Sequence, residues 1–133
     1  MRIWQAAVVC MLVAVLLAAA GGSGFTQESE LKVVRDVLAT RIENRQPVEA
    51  AMPVPSGVGE LFYFTEVQGG PGTIQHVWIW QGRTMATVSL EVRSSRFRTW
   101  SSKRIMREWT GQWKVEARGP GGAVLSSKEF EVK

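Results

Sequence analysis

From residue 31 to its end, the chain alternates short stretches of β-branched and aromatic residues with turn sequences built from Gly, Pro and Ser. Seven of these stretches predict strands: Leu31–Thr40, Gly59–Gln68, Ile74–Gln81, Thr84–Val92, Arg96–Ser101, Gln112–Arg118 and Val124–Val132. About seven strands in roughly 100 residues are typical of a single antiparallel β-sandwich of the immunoglobulin-like kind. The sequence therefore predicts one all-β domain over residues 31–133.

The first stretch also fits one face of a helix, because four aliphatic residues recur at helical spacing (Leu31, Val34, Leu38 and Ile42). Its three valines between positions 33 and 37 favour a strand instead. The stretch Gln112–Arg118 alternates most regularly, with Trp113, Val115 and Ala117 on one face and polar residues on the other. We expect Trp113 to lie in the core and the polar face to lie in solvent.

The first twenty residues have the layout of a secretory signal peptide. One Arg precedes a long apolar run that ends in Ala18-Ala19-Ala20, and small residues follow, which predicts cleavage before Gly21. The alternative is an uncleaved membrane anchor, since the apolar run is near the minimum length for crossing a bilayer. Residues 21–30 are polar and rich in Gly and Ser, as in a flexible linker. We therefore predict an exported, periplasmic or extracellular protein.

The single cysteine, Cys10, lies within the apolar run, so the domain that follows contains none. Such a domain has no disulfide and must be held together by burial of apolar surface. The whole chain carries a formal net charge of +4 at pH 7, a value that says little about partners. Basic residues are nevertheless concentrated between positions 93 and 107, where six Lys and Arg residues occur with no acidic residue.

Four runs of residues carry a resemblance to a known family: His76–Gly82, Arg98–Lys103, Gly111–Val115, and Val124-Leu125 with Phe130–Val132. The most specific part is R-T-W-S-S-K followed shortly by G-x-W-x-V. Together they resemble the bacterial family called domain of unknown function 2914, over about residues 31–133. The resemblance implies a shared fold, but it indicates no activity, ligand or binding site.

The sequence contains few residues of the types that catalysis usually requires. A Ser-His-Asp arrangement would have to use His76 and Asp36, the sole residues of their types, and no G-x-S-x-G motif is present. One His and scattered carboxylates give no metal-ligand spacing. We therefore predict no enzymatic activity, no metal and no cofactor. The alternative is a small envelope hydrolase or lyase that acts on polysaccharide through Glu residues and Trp platforms.

On a strand, His76, Trp78 and Trp80 project from the same face. They could form an aromatic platform that stacks on sugars or Arg side chains. The favoured interpretation is that Trp78 fills the centre of the sandwich, as the Trp of strand C commonly does, and that Trp80 reaches the edge.

The basic segment has its own alternation: Arg96, Arg98 and Trp100 share one face, and Phe97 points inward from the other. Further basic residues follow in the predicted loop. We call the resulting candidate surface the predicted rim; its members are Arg96, Arg98, Trp100, Lys103, Arg104 and Arg107, with Trp80 as an outlying member. The simpler interpretation is a solvated face with an Arg stacked on Trp100. The functional one is a contact surface, because Trp and Arg are enriched at interface hot spots.

The function predicted from sequence is that of an exported, non-enzymatic binding or interaction module. Its expected partner is an envelope protein or an anionic polymer. Nucleic acid is disfavoured by the export signal, and contact with a membrane is expected only through the N-terminal segment if that segment is uncleaved.

Overall fold

The computed structural model describes residues 30–133, so the predicted signal peptide, its cleavage site and the linker up to residue 29 lie outside the described residues. Eight strands make up this part of the chain: β1 (Lys32–Glu43), β2 (Gln46–Glu49), β3 (Gly59–Gln68), β4 (Gly72–Trp80), β5 (Arg83–Val92), β6 (Arg96–Ile105), β7 (Gly111–Arg118) and β8 (Val124–Val132). A short 3₁₀ turn, Pro120–Gly122, precedes β8. Within residues 30–133 no helix has the length and apolar character needed to cross a bilayer.

The strands form two four-stranded antiparallel sheets. The first has the order β2-β1-β3-β6 and the second the order β5-β4-β7-β8. Strands β1, β3 and β6 correspond to A, B and E of an immunoglobulin-like sandwich, and β5, β4, β7 and β8 to C′, C, F and G. The predicted all-β sandwich is confirmed, and it is built without a disulfide because residues 30–133 contain no cysteine.

Apart from shifts of up to three residues at other strand ends, two features differ from those expected from sequence. Strand β2 is an additional, eighth strand, which is only four residues long and includes Pro47. Strand β6 continues to Ile105, so Lys103 and Arg104 belong to the strand rather than to the predicted loop. The ambiguous first stretch is a strand, as its valines predicted.

The core lies between the sheets and is centred on two indoles, Trp78 and Trp113, which are 0% and 1% exposed. Val115 and Ala117 are buried on the same face as Trp113, so the predicted alternation of β7 is confirmed. The opposite face of β7 is less open than expected, because Glu116 is also buried. Lys114 and Arg118, its neighbours on that face, hold it in ion pairs of 3.3 and 2.7 Å.

The hairpin formed by β1 and β2 bends over the outer face of the first sheet. Its two-residue tip, Asn44-Arg45, has positive φ angles of 52° and 60°, and a register shift interrupts β1 beside Ala39. The Arg45 Nη2 donates to the carbonyl oxygen of Arg98 in β6, at 3.1 Å. Since β3 separates β1 from β6 within the sheet, this contact requires the tip to cross the outer face. Phe64 points outward from β3 and yet is completely buried.

Candidate functional site

The structure divides the predicted rim among several surfaces. Arg96, Arg98 and Trp100 lie together on β6, where Arg96 forms a 2.7 Å ion pair with the buried Glu66. Lys103 points to the other side of β6, with its Nζ 5.0 Å from the centre of the Trp109 ring. The remaining members lie elsewhere: Arg104 and Arg107 line the end of the sandwich near Gly57, and Trp80 belongs to the second sheet.

Trp100 is half-buried in a cluster of two aromatic rings, each of which also contacts an Arg side chain. It lies 6.2 Å from Phe64 at an interplanar angle of 13°. The Arg45 guanidinium lies 5.4 Å from the centre of the Trp100 ring, and that of Arg35 lies 5.4 Å from the centre of Phe64. The Arg that stacks on Trp100 therefore comes from the β1–β2 hairpin.

Replacement of Trp100 by Ala is expected to destabilise the domain by about 1–3 kcal/mol, since it removes one aromatic pair and one cation–π contact while leaving the central core intact. Chemical denaturation of the variant and the wild type measures the difference. A loss as large as that of a central core residue would contradict the outer-face placement.

A groove of about 440 Å³ separates the two edge strands β5 and β6. We call it the basic groove; it is lined by Ser89, Leu90, Glu91 and Arg93, by Phe97–Trp100, and by Arg45. The sequence alone placed Arg98 and Trp100 at a candidate surface. It assigned no role to Arg45, whose position depends on the hairpin, and it indicated Arg93 only as part of the acid-free basic segment.

The basic groove has an excess of positive charge. Its lining contains three guanidinium groups and one carboxylate. Arg93 pairs with that carboxylate, Glu91, at 3.4 Å, and both side chains are largely exposed. Arg45 donates to a neutral carbonyl, and the Arg98 guanidinium has no hydrogen-bond or ion-pair partner among residues 30–133.

The main chain of β6 adds donors to this groove. The carbonyl oxygens of Arg96 and Arg98 face the free edge of the strand, where they accept from Ser94 Oγ at 2.8 Å and from Arg45. In an antiparallel strand the N–H and C=O of one residue point to the same side. The N–H of Arg98 is therefore directed to the groove, while the neighbouring acceptors are already occupied. Such a surface is suited to an anion.

The buried side of β6 contains a chain of neutral hydrogen bonds. The Ser101 hydroxyl accepts from Trp78 Nε1 at 3.1 Å and lies 2.7 Å from His76 Nδ1. His76 Nε2 lies 3.1 Å from the Thr65 hydroxyl, which donates to the carbonyl of Thr99. Because the Thr65 hydroxyl already donates, His76 Nε2 carries a proton, and in the neutral imidazole Nδ1 accepts from the Ser101 hydroxyl.

The pair formed by Ser101 and His76 resembles part of a catalytic triad in distance alone. His76 is 0% exposed and Ser101 6%, so a substrate could not reach either. Burial lowers the pKa of the His76 imidazole to about 3. Asp36 lies elsewhere, accepting at 2.8 Å from the Tyr63 hydroxyl, whose pKa is raised by burial. The arrangement is structural.

Three indoles of residues 30–133 cluster at one end of the sandwich. The rings of Trp80, Trp109 and Trp113 lie 6.1–6.2 Å from one another. Arg83 lies 5.9 Å from the centre of the Trp80 ring, and Lys103 lies over Trp109. Because the other rings and these cations cover them, Trp80 and Trp109 offer no ready platform for stacking on a sugar.

A second groove, of about 560 Å³, lies on the outer face of the second sheet and contains two carboxylates, Glu116 and Glu129. Burial opposes ionisation of Glu116, but the hydrogen bonds and charges of Arg118 and Lys114 outweigh it, and its pKa is lowered. A general acid needs a raised pKa, so Glu116 is not suited to that role. No group of three or more potential metal ligands occurs within residues 30–133.

Comparison with family models gives one match. Residues 71–132 match the model described as protein of unknown function (DUF2914). This segment belongs to the DUF2914 family. The match runs from the start of β4 to the end of β8, whereas the resemblance seen in the sequence extended over about residues 31–133. The matched segment contains the most specific motifs, and β1, β2 and β3 lie outside it.

None of the curated proteins matches this chain. Similar solved structures include the β-glucosidase of Kluyveromyces marxianus, with 11% identity and a TM-score of 0.45 over 78% of this chain and 14% of that chain. Another is the β-D-glucoside glucohydrolase of Trichoderma reesei, with 10% identity and a TM-score of 0.44 over 79% of this chain and 19% of that chain. The chain thus spans less than a fifth of either enzyme, and likeness at this level carries no argument about function.

Proposed function

We propose that this chain is an exported, non-enzymatic binding module that recognises an anionic ligand at the basic groove. The observation that carries the proposal is Arg98, a half-buried residue whose guanidinium has no anionic partner among the described residues and which lines the same groove as Arg45 and Arg93. A partly desolvated cation gains more from an anion than a fully hydrated one does.

The geometry favours binding over catalysis. The basic groove contains one carboxylate, Glu91, and that group is paired with Arg93. The sole His of the chain, His76, is buried away from it. No acid–base pair therefore faces a ligand in this groove, whereas donors do. The N-terminal sequence supports export, and an anionic polymer or an acidic surface of an envelope protein has the charge that the groove lacks.

The experiment compares two double charge reversals with the same change in net charge. Arg93→Glu with Arg98→Glu alters the groove, whereas Arg104→Glu with Arg107→Glu alters predicted-rim residues outside it. The probe is immobilised dextran sulfate, and the protein is the purified full-length chain in a mild detergent. We expect the groove reversal to weaken binding at least about tenfold, because charge-assisted hydrogen bonds each contribute about 1.5–3 kcal/mol.

The control pair is expected to retain most of the binding at moderate salt, where screening suppresses the general effect of net charge. If the two double variants lose affinity for dextran sulfate equally, binding depends on net charge alone. The basic groove is then not the binding site. Capture from native envelope extracts with the same variants then identifies the natural ligand.

A further inference from the structure

Strand β5 has a long free edge. It is ten residues long and pairs with β4 alone within its sheet. No hydrogen bond within residues 30–133 joins the other edge of β5 to another element. The segment from Thr84 to Leu90 also contains no charged residue and no Pro, so it lacks the residues that usually block such an edge.

The hairpin geometry identifies the main-chain groups at this edge. Only Gln81 and Gly82 connect β4 to β5, so the flanking pair Trp80 and Arg83 closes the hairpin with hydrogen bonds. Residues of β4 with even numbers therefore face β5, including Ile74 opposite Leu90. Between these bonded pairs, Ser89 and Glu91 direct their N–H and C=O groups away from β4, and both residues line the basic groove.

We propose that the ligand of the basic groove is an extended acidic polypeptide segment that adds as a strand to the free edge of β5. This inference rests on the proposed function and names its ligand class. The outward N–H and C=O groups of Ser89 and Glu91 form the main-chain ladder. Acidic side chains on the inner face of the added strand meet the guanidinium groups of Arg45 and Arg98 across the groove.

The two edges of the groove favour this ligand over an anionic polysaccharide. Edge β5 offers donors and acceptors in alternation, the pattern that a polypeptide backbone matches. Edge β6 is a poor partner for a strand, because Ser94 and Arg45 occupy its carbonyl groups at Arg96 and Arg98. One edge therefore supplies the ladder and the other supplies the positive charge.

The test uses an end-blocked, fluorescein-labelled peptide of alternating Glu and Val, titrated with the full-length chain in a mild detergent. Two analogues carry N-methyl groups, one on every Glu and the other on every Val. A strand pairs through one of its edges only, so N-methylation of one set removes the ladder and that of the other set faces solvent. We expect one analogue to bind at least about tenfold more weakly than the parent and the other to bind as the parent does.

Equal affinity of the two analogues, whether high or low, overturns strand addition. Ser89→Pro provides a second test, since Pro removes the outward N–H and is tolerated on the solvent side of an edge strand. We expect it to weaken the peptide at least about tenfold. The double variant Arg93→Glu with Arg98→Glu separates the two proposals. If it weakens dextran sulfate binding while the two N-methyl analogues bind with equal affinity, strand addition is wrong and the anion-binding function is retained. If this double variant binds both dextran sulfate and the peptide as the wild type does, the proposed anion-binding function is wrong.

Discussion

Replacement of Trp113 by Ala is expected to lower the free energy of unfolding by about 3–5 kcal/mol, the usual range for a large buried ring. Trp113 is 1% exposed. Its ring lies 6.0 Å from Phe130 and 6.2 Å from both Trp80 and Trp109. Its Nε1 also donates to the carbonyl of Trp109 at 2.9 Å, so the substitution removes a hydrogen bond from a part-buried acceptor as well as creating a cavity.

Against a total stability of about 5–15 kcal/mol, this loss would leave the domain marginal. Urea denaturation followed by far-ultraviolet circular dichroism measures it, with Trp100→Ala as the matched control on the outer face. We expect the Trp113 variant to be the less stable of the two. A loss below about 1 kcal/mol, the scale of an ordinary surface change, would contradict the burial of Trp113.

Acidification is expected to destabilise the domain through His76. Its pKa is about 3 in the folded state, against 6.5 as the ordinary value. Between these values the unfolded chain binds a proton that the folded chain does not, so stability falls as the pH is lowered from 6.5 towards 3. We expect a loss of about 1–2 kcal/mol between about pH 7.5 and pH 5.5, rising to roughly 5 kcal/mol near pH 3.

The upper part of this range isolates the imidazole, because His76 is the single His of the chain and carboxylates titrate at lower pH. The measurement is a series of urea midpoints at several pH values, with His76→Gln as the control. The variant should be less stable at neutral pH and insensitive to pH above about 5.5. If the wild type is equally stable at pH 7.5 and pH 5.5, the prediction is wrong. His76 would then bind a proton as readily in the folded protein as in the unfolded chain.

Local alternation is the reason that most of the sandwich could be predicted from sequence. Strand β7 has one apolar and one polar face, and the turn sequences mark the ends of β3, β4 and β5. Strand β2 left no comparable signal, since it is four residues long and contains Pro47. Val54 lies between two prolines in the connection from β2 to β3, yet it is fully buried and bridges to Val132, a contact that depends on the path of the whole connection.

The candidate site was predictable only within single strands. Alternation along β6 correctly placed Arg98 and Trp100 on one face and Phe97 on the inward one. It could not indicate Arg45, which reaches β6 through the bend of a distant hairpin. Nor could it indicate that β5 lies beside β6, because neighbouring edges are set by how the two sheets stack. The position of Trp109 likewise follows from its packing against Trp80 and Trp113.

The pairing of β6 with β3 has a consequence for where this domain can be divided. The family match covers residues 71–132, but β6 has β3, at Gly59–Gln68, as its sole neighbour within its sheet. A polypeptide starting at residue 71 would keep the second sheet and lose every strand that hydrogen-bonds to β6. It would also expose Trp78, whose ring meets Tyr63 edge-on at 6.4 Å. We therefore expect the matched segment not to fold on its own, and the smallest independently folding unit to include β1 and β3 as well.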